Sequence, residues 1–78
     1  MNKARRSRLD DVISQLNDIL DEIYMISDEE KEAYDNLPES LQESERGNAM
    51  HECSDLIEDA ASTLNDLIQD IEYITEEF

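Results

Sequence analysis

Residues 35–47 read DNLPESLQESERG, and this stretch decides the fold because it holds the only proline and the only glycine among 78 residues. Pro38 has no N–H and disfavours the helical conformation at Leu37, so a first helix is expected to end near Asn36. Long stretches without any helix breaker lie on both sides. The break therefore predicts two helices joined by one loop.

The second helix has two possible starts within this stretch. Ser44 is the better N-cap, because Glu45 then faces the positive end of the helix dipole. Ser40 and Glu43 match a capping box, which leaves an earlier start open. The pattern predicts a first helix over about 5–36, a loop with a short helical turn over 37–43, and a second helix over about 44–77.

Apolar residues recur in alternating steps of three and four on both sides of the loop, which argues against a disordered chain. With Leu9 and Met50 taken as heptad position a, the a and d positions form a predicted seam that only Glu30 interrupts. This seam comprises Leu9, Val12, Leu16, Ile19, Ile23, Ile26, Glu30, Ala33, Leu37, Met50, Cys53, Ile57, Ala60, Leu64, Leu67, Ile71, Ile74 and Phe78. Folding the chain back at Pro38 pairs its two halves without a slip. The prediction is an all-α fold, an antiparallel coiled-coil hairpin, in one domain over residues 1–78.

Further apolar residues flank the predicted seam, with Ile13, Leu20 and Ile68 at e positions and Leu56 at a g position. They widen the apolar stripe beyond what two helices can cover. We therefore expect these four residues to mediate self-association into a homodimer, a four-helix bundle. A partner surface that covers the same strip is the alternative.

The chain carries 22 acidic and 6 basic residues, a net charge of −16, and four of its cations lie within residues 3–8. Such a body repels nucleic acid and anionic membranes and attracts basic protein surfaces. Neither direct nucleic-acid binding nor membrane association is expected, although binding of nucleic acid by the basic arm alone is a minor alternative. A single cysteine and the lack of a long apolar run predict a cytoplasmic protein.

Carboxylates crowd the predicted outer surface of the first helix, where few cations balance them. Like charges at helical spacing cost stability, so their retention suggests a use beyond solubility. The predicted partner-binding residues on this surface, called the acidic face below, are Asp11, Asp18, Asp21, Asp28, Glu32 and Asp35. The loop tip adds a second predicted contact, Glu39, Glu43, Glu45 and Arg46, for which a purely structural role is the alternative.

No arrangement of residues indicates catalysis or metal binding. His51, Glu52 and Cys53 are consecutive, and consecutive helical residues point in different directions. Cys53 belongs to the predicted seam, which favours a buried thiol over a zinc ligand. The sequence lacks a calcium loop and a glycine-rich phosphate loop. It predicts a protein that is not an enzyme and needs no cofactor.

The runs Tyr34–Gln42 and Ser44–Gly47 resemble a motif of small acidic helical proteins from bacteriophages and other mobile elements of low-GC Gram-positive bacteria. The resemblance implies a phage or mobile-element origin and no active site. Small acidic phage proteins are often inhibitors of host defence, including DNA mimics and anti-CRISPR proteins. The resemblance thus implies an inhibitor that occupies the basic, nucleic-acid-binding surface of a host or phage protein. The alternative is a structural or adaptor bundle that binds through its apolar flank.

Overall fold

The computed structural model describes all 78 residues and contains three helices: α1 (Lys3–Asp35), α2 (Glu39–Gln42) and α3 (Glu45–Glu77). The two long helices pack against each other in opposite directions, and α2 forms the turn between them. The Cα atoms span 59 × 15 × 12 Å. The prediction of an all-α helical hairpin is confirmed.

Caps define both long helices. Ser44 caps α3 as predicted, since its hydroxyl accepts a hydrogen bond from the Gly47 N–H at 3.2 Å. At the other end of the loop, Asn36 is the C-cap of α1. The α1 helix begins earlier than predicted because the Asn2 side chain accepts a hydrogen bond from the Arg5 N–H at 2.8 Å. That cap organises the basic segment as helix rather than leaving it frayed.

The turn is held by backbone hydrogen bonds and by one close approach. The Pro38 carbonyl accepts from the N–H groups of Leu41, at 2.8 Å, and Gln42, at 3.1 Å. The Gln42 side chain donates to the Tyr34 carbonyl at 3.2 Å, which ties α2 to the end of α1. Gly47 is buried against this turn, and a Cβ there would lie 2.7 Å from the Gln42 carbonyl carbon and closer still to two carbonyl oxygens.

The contact between α1 and α3 uses a different stripe from the predicted seam. Positions a and e face across the hairpin, whereas the d positions Val12, Ile19, Ile26, Leu67 and Ile74 are 41–54% exposed. The interhelical core comprises Leu20, Ala61 and Ile68, with Ile13, Leu16, Ile23 and Leu64 packed against them. The assignment of Ile13, Leu20 and Ile68 to self-association is therefore wrong, because these side chains pack inside the hairpin.

Short side chains at e explain the choice of stripe. Both the a/d and the a/e stripes satisfy the same spacing, but e carries Ser27, Ser54, Ala61 and Thr75, which let the two helices approach closely. Their buried hydroxyls are satisfied by backbone carbonyls: Ser27 donates to Ser54 at 3.2 Å, and Thr75 donates to Ile71 at 2.9 Å. Burial of these groups therefore carries little penalty.

Truncation at an e position tests whether this stripe forms the interhelical core. We expect Ile68→Ala to lower the free energy of unfolding by about 2–4 kcal/mol, because Ile68 is fully buried. Met25→Ala, on the exposed outer surface of α1, should change it by less than about 0.5 kcal/mol. Urea titrations followed by circular dichroism measure both. Equal losses would contradict the a/e core.

Gly47 should be required for its size rather than its flexibility. In an ordinary helix Gly→Ala stabilises by about 1 kcal/mol. Here we expect Gly47→Ala to destabilise by about 1–3 kcal/mol, because the added Cβ meets backbone carbonyls that cannot rotate away. Asn48→Ala, at the exposed next position, is the matched control and should be neutral or stabilising. A stabilising Gly47→Ala would show that the turn can move.

Candidate functional site

The hairpin has two different sides, and one ion pair between the long helices shows which heptad positions lie on each side. Lys31 and Glu58 both occupy b positions, and their side chains meet at 2.7 Å. Equivalent flanking positions of two antiparallel helices lie on the same side of the pair. The b positions of α1 and α3 therefore share one side, and the d positions share the other.

The d side forms a continuous exposed surface, which we call the apolar face. Ile19, Leu56 and Leu67 are the most exposed of its large residues, at 51–60%. The face comprises Val12, Ile19, Ile26 and Ala33 of α1 with Cys53, Leu56, Ala60, Leu67 and Ile74 of α3. Of the four predicted self-association residues, only Leu56 lies here. Cys53 is exposed on this face, so the expectation of a buried thiol is wrong.

The apolar face is large relative to the interior. Only three hydrophobic residues of the chain are buried, whereas twelve large hydrophobics are exposed, and six of these lie on the apolar face. A chain of this size gains little stability from its core. Contiguous apolar patches on soluble proteins mark interaction sites. The sequence analysis identified the residues at the d positions as apolar but assigned them to the interior of the hairpin.

The two ends of the apolar face differ. At the terminal end, a shallow depression is lined by Met1, Leu9, Val12 and Gln15 together with two arginines and one carboxylate, Arg5, Arg8 and Asp11, so that cations outnumber anions there. At the loop end, a second depression is lined by small and apolar residues with one carboxylate at its edge: Ala49, Glu52, Cys53, Leu56, Ile57 and Ala60. The face is thus cationic at one end and anionic at the other.

The acidic face lies on the opposite, outward surface of α1. All six of its predicted residues occupy c or f positions and are exposed, as are the four predicted loop-tip residues. Only one carboxylate in the chain, Glu58, has a lysine or arginine partner within 4 Å, and Asp55 has only the imidazole of His51. Arg46 makes no ion pair with Asp35 or Glu39. The acidic face is therefore neither neutralised nor occupied by contacts within the hairpin.

The Lys31–Glu58 pair is the one electrostatic link between the long helices. The hydrogen bond that the Lys31 ammonium donates to Glu58 raises the pKa of Lys31 above the usual 10.5, and the nearby Asp28 and Asp55 carboxylates act in the same direction. A raised lysine pKa favours the folded state below the unfolded-state pKa as long as the Glu58 carboxylate is ionised, and the contribution disappears as pH rises through the raised pKa. The pair therefore persists throughout the neutral range.

Polar groups beside this pair do not assemble a reactive site. His51 Nδ1 lies 3.4 Å from an Asp55 carboxylate oxygen, and its ring meets Tyr34 edge-on with centroids 5.2 Å apart. Both His51 and Asp55 are more than half exposed, so neither is held in a water-excluding cleft. No three histidine, cysteine or acidic side chains come together where they could hold a metal ion. None of the helices has the length and apolarity needed to cross a membrane.

A comparison of the chain with known protein families, with curated proteins and with solved structures found no match. The interpretation of the two faces therefore depends on their geometry and charge.

Charge repulsion along the outer surface should make hairpin stability depend on salt. Like-charged neighbours at helical spacing each cost about 0.2–0.5 kcal/mol, and added salt screens them. We expect the thermal midpoint to rise between low and physiological ionic strength. Changing Asp11, Asp18, Asp21 and Asp28 together to Asn should raise the midpoint at low salt and reduce its dependence on salt. A fall in stability on adding salt would show that net attraction dominates.

Proposed function

We propose that the chain is a non-enzymatic inhibitor that presents its acidic face and loop tip to the basic, nucleic-acid-binding surface of another protein. Its origin in a bacteriophage or mobile element, with a host defence protein as the target, belongs to the same proposal. The partner would release nucleic acid when it binds the hairpin, because both ligands offer negative charge to the same surface.

Charge density is the observation that carries this proposal. Averaged over both helices and the 59 Å length of the rod, the net charge of −16 amounts to one charge per about 3.7 Å, compared with 3.4 Å for one strand of a nucleic acid, and it is denser toward the loop. Almost all of these carboxylates lack a cation within the chain. A basic partner can therefore pair with them without first breaking existing ion pairs.

The geometry of the rod also suits this role. The acidic face lies along a single uninterrupted helix, α1, so its carboxylates, separated by three, four or seven residues, are held in fixed positions on a stiff support. Neighbouring carboxylates three or four residues apart are separated by about 5–6 Å. The loop tip extends the same negative surface around the end of the hairpin, since Glu39, Glu43 and Glu45 are all exposed there.

A second candidate function is favoured by the apolar face. In this alternative the hairpin is an adaptor or assembly factor, and a partner binds the exposed d positions rather than the carboxylates. The two candidates differ in their response to salt. Binding through the acidic face should weaken steeply as ionic strength rises, whereas apolar docking should persist.

The proposal is tested by capturing partners from a bacterial lysate and titrating the purified partner at low and high salt. We expect wild-type hairpin to bind at low salt, to lose at least tenfold in affinity at high salt, and to be displaced by the partner's own nucleic acid. Replacing Asp11, Asp18, Asp21 and Asp28 together by Asn should weaken binding at low salt at least tenfold. Helicity should be retained, because these positions are exposed.

The matched control changes the other side of the hairpin. Ile19→Asn and Leu67→Asn alter two exposed residues of the apolar face and leave every carboxylate in place. We expect this variant to bind the partner as the wild type does. If binding were instead lost in the Ile19→Asn and Leu67→Asn variant and kept in the fourfold Asp→Asn variant, the adaptor function would be favoured over the acidic-face inhibitor.

A further inference from the structure

We infer that a second copy of this chain covers the apolar face, and that the two hairpins lie head-to-tail. In this arrangement a two-fold axis crosses the middle of the long dimension, and the loop end of each copy lies over the terminal end of the other. The inference goes beyond the proposed function and does not depend on it, because the apolar face consists of d and g positions and the acidic face of c and f positions, with only Asp11 beside both.

A second copy is needed to bury the apolar face because the interior of a single hairpin is small. One hairpin buries only Leu20, Ala61 and Ile68 among its hydrophobic residues and leaves a row of d positions in water. The side of the hairpin that carries this row measures about 59 by 15 Å between Cα atoms. That area is comparable with the roughly 800 Å² per partner that specific interfaces bury. A second hairpin of the same length matches this surface from end to end.

Side-chain size along the face selects the relative direction of the copies. The terminal half carries large residues, Val12 and Ile74 followed by Ile19 and Leu67. In the loop half, three of the four d positions carry smaller residues, Ala33, Cys53 and Ala60, although Ile26 at the fourth and Leu56 at g are large. A head-to-tail pair places the half with larger side chains of each copy on the half with smaller side chains of the other, so the two surfaces can interdigitate at the packing density of a protein interior. A head-to-head pair would stack large on large and leave gaps between the small halves.

Charge selects the same direction. The loop half, residues 21–65, carries fourteen carboxylates against Lys31 and Arg46. The terminal half, residues 1–20 and 66–78, carries eight carboxylates against four cations. Head-to-head pairing would bring the two strongly acidic halves together, which like-charge repulsion opposes. Head-to-tail pairing instead places each strongly acidic half against the half with the smaller net negative charge.

The two depressions make this complementarity local. Arg5 and Arg8 line the depression at the terminal end, next to Val12. Glu52 lies at the rim of the depression at the loop end, and Glu29 occupies the neighbouring g position of α1. With a two-fold axis near the middle of the rod, the arginines of one copy lie at about the same position along the long axis as these carboxylates of the other copy. Each dimer would contain this contact twice.

Association itself is tested by sedimentation equilibrium at micromolar concentration. We expect wild-type chain to form a dimer, and Leu67→Asp to raise the dimer dissociation constant at least a hundredfold while the isolated hairpin keeps its helicity. Gln69→Asp adds the same charge on the exposed outer surface of α3 and should leave the dimer intact. A helical wild-type monomer at these concentrations would overturn the inference without touching the acidic-face proposal.

Orientation is tested by nitroxide distances in a Cys53→Ser background, which removes the only native thiol. A label at Asn48→Cys lies near the loop end on the outer surface. In a head-to-tail dimer the two labels are offset by about 50 Å along the axis, from a rise of 1.5 Å per residue. In a head-to-head dimer only the bundle thickness, about 20–25 Å, separates them. A label at Ser62→Cys, near the middle, should give a short distance in either arrangement and serves as the control.

Neutralising the arginines gives an independent measure of orientation. Arg5→Gln with Arg8→Gln should raise the dissociation constant about tenfold if these residues face carboxylates of the other copy, and should lower it if they face each other. Lys3→Gln with Arg6→Gln removes the same charge from b and e positions, away from the apolar face, and should have the smaller effect. A tighter dimer for the first pair, or a short Asn48 distance, would overturn the head-to-tail arrangement.

Discussion

The contact of α1 with α3 through their a and e positions is the interaction on which the other surfaces depend. It rotates both helices so that Leu20 and Ile68 point inward while Ile19 and Leu67, one residue earlier in the chain, remain in water. The short side chains of Ser27, Ser54 and Ala61 make this contact possible, since the helices can approach closely there. A rotation that turned the a and d positions inward would bury the d row and remove the apolar face.

The same rotation separates charge from apolar surface. Carboxylates at c and f point away from the other long helix, and the apolar d row lies on one flank. The hairpin can therefore use one side for a second copy while its acidic side stays open to a basic partner. A protein of this size often gains stability through oligomerisation. Here dimerisation would also hold two acidic rods in a defined relation.

Electrostatic repulsion limits how stable a single hairpin can be. Apart from the Lys31–Glu58 pair, the long helices have no ionic link to offset the repulsion among their carboxylates. The loop, by contrast, is closely specified: Ser44 caps α3, and Gly47 is the residue whose size allows the turn to pack. A strong turn thus joins two helices whose outer surfaces repel each other, which is consistent with a need for binding partners.

The amino-acid sequence by itself determined the two long helices, the break at Pro38, the Ser44 cap and the antiparallel pairing, because each follows from local backbone chemistry or from apolar periodicity. It did not determine which flank of position a faces inward. The d and e stripes have the same spacing, and apolarity favoured d. Tertiary packing decided for e, since small residues there let the helices approach more closely than larger side chains would, and the buried hydroxyls of Ser27 and Thr75 donate to backbone carbonyls.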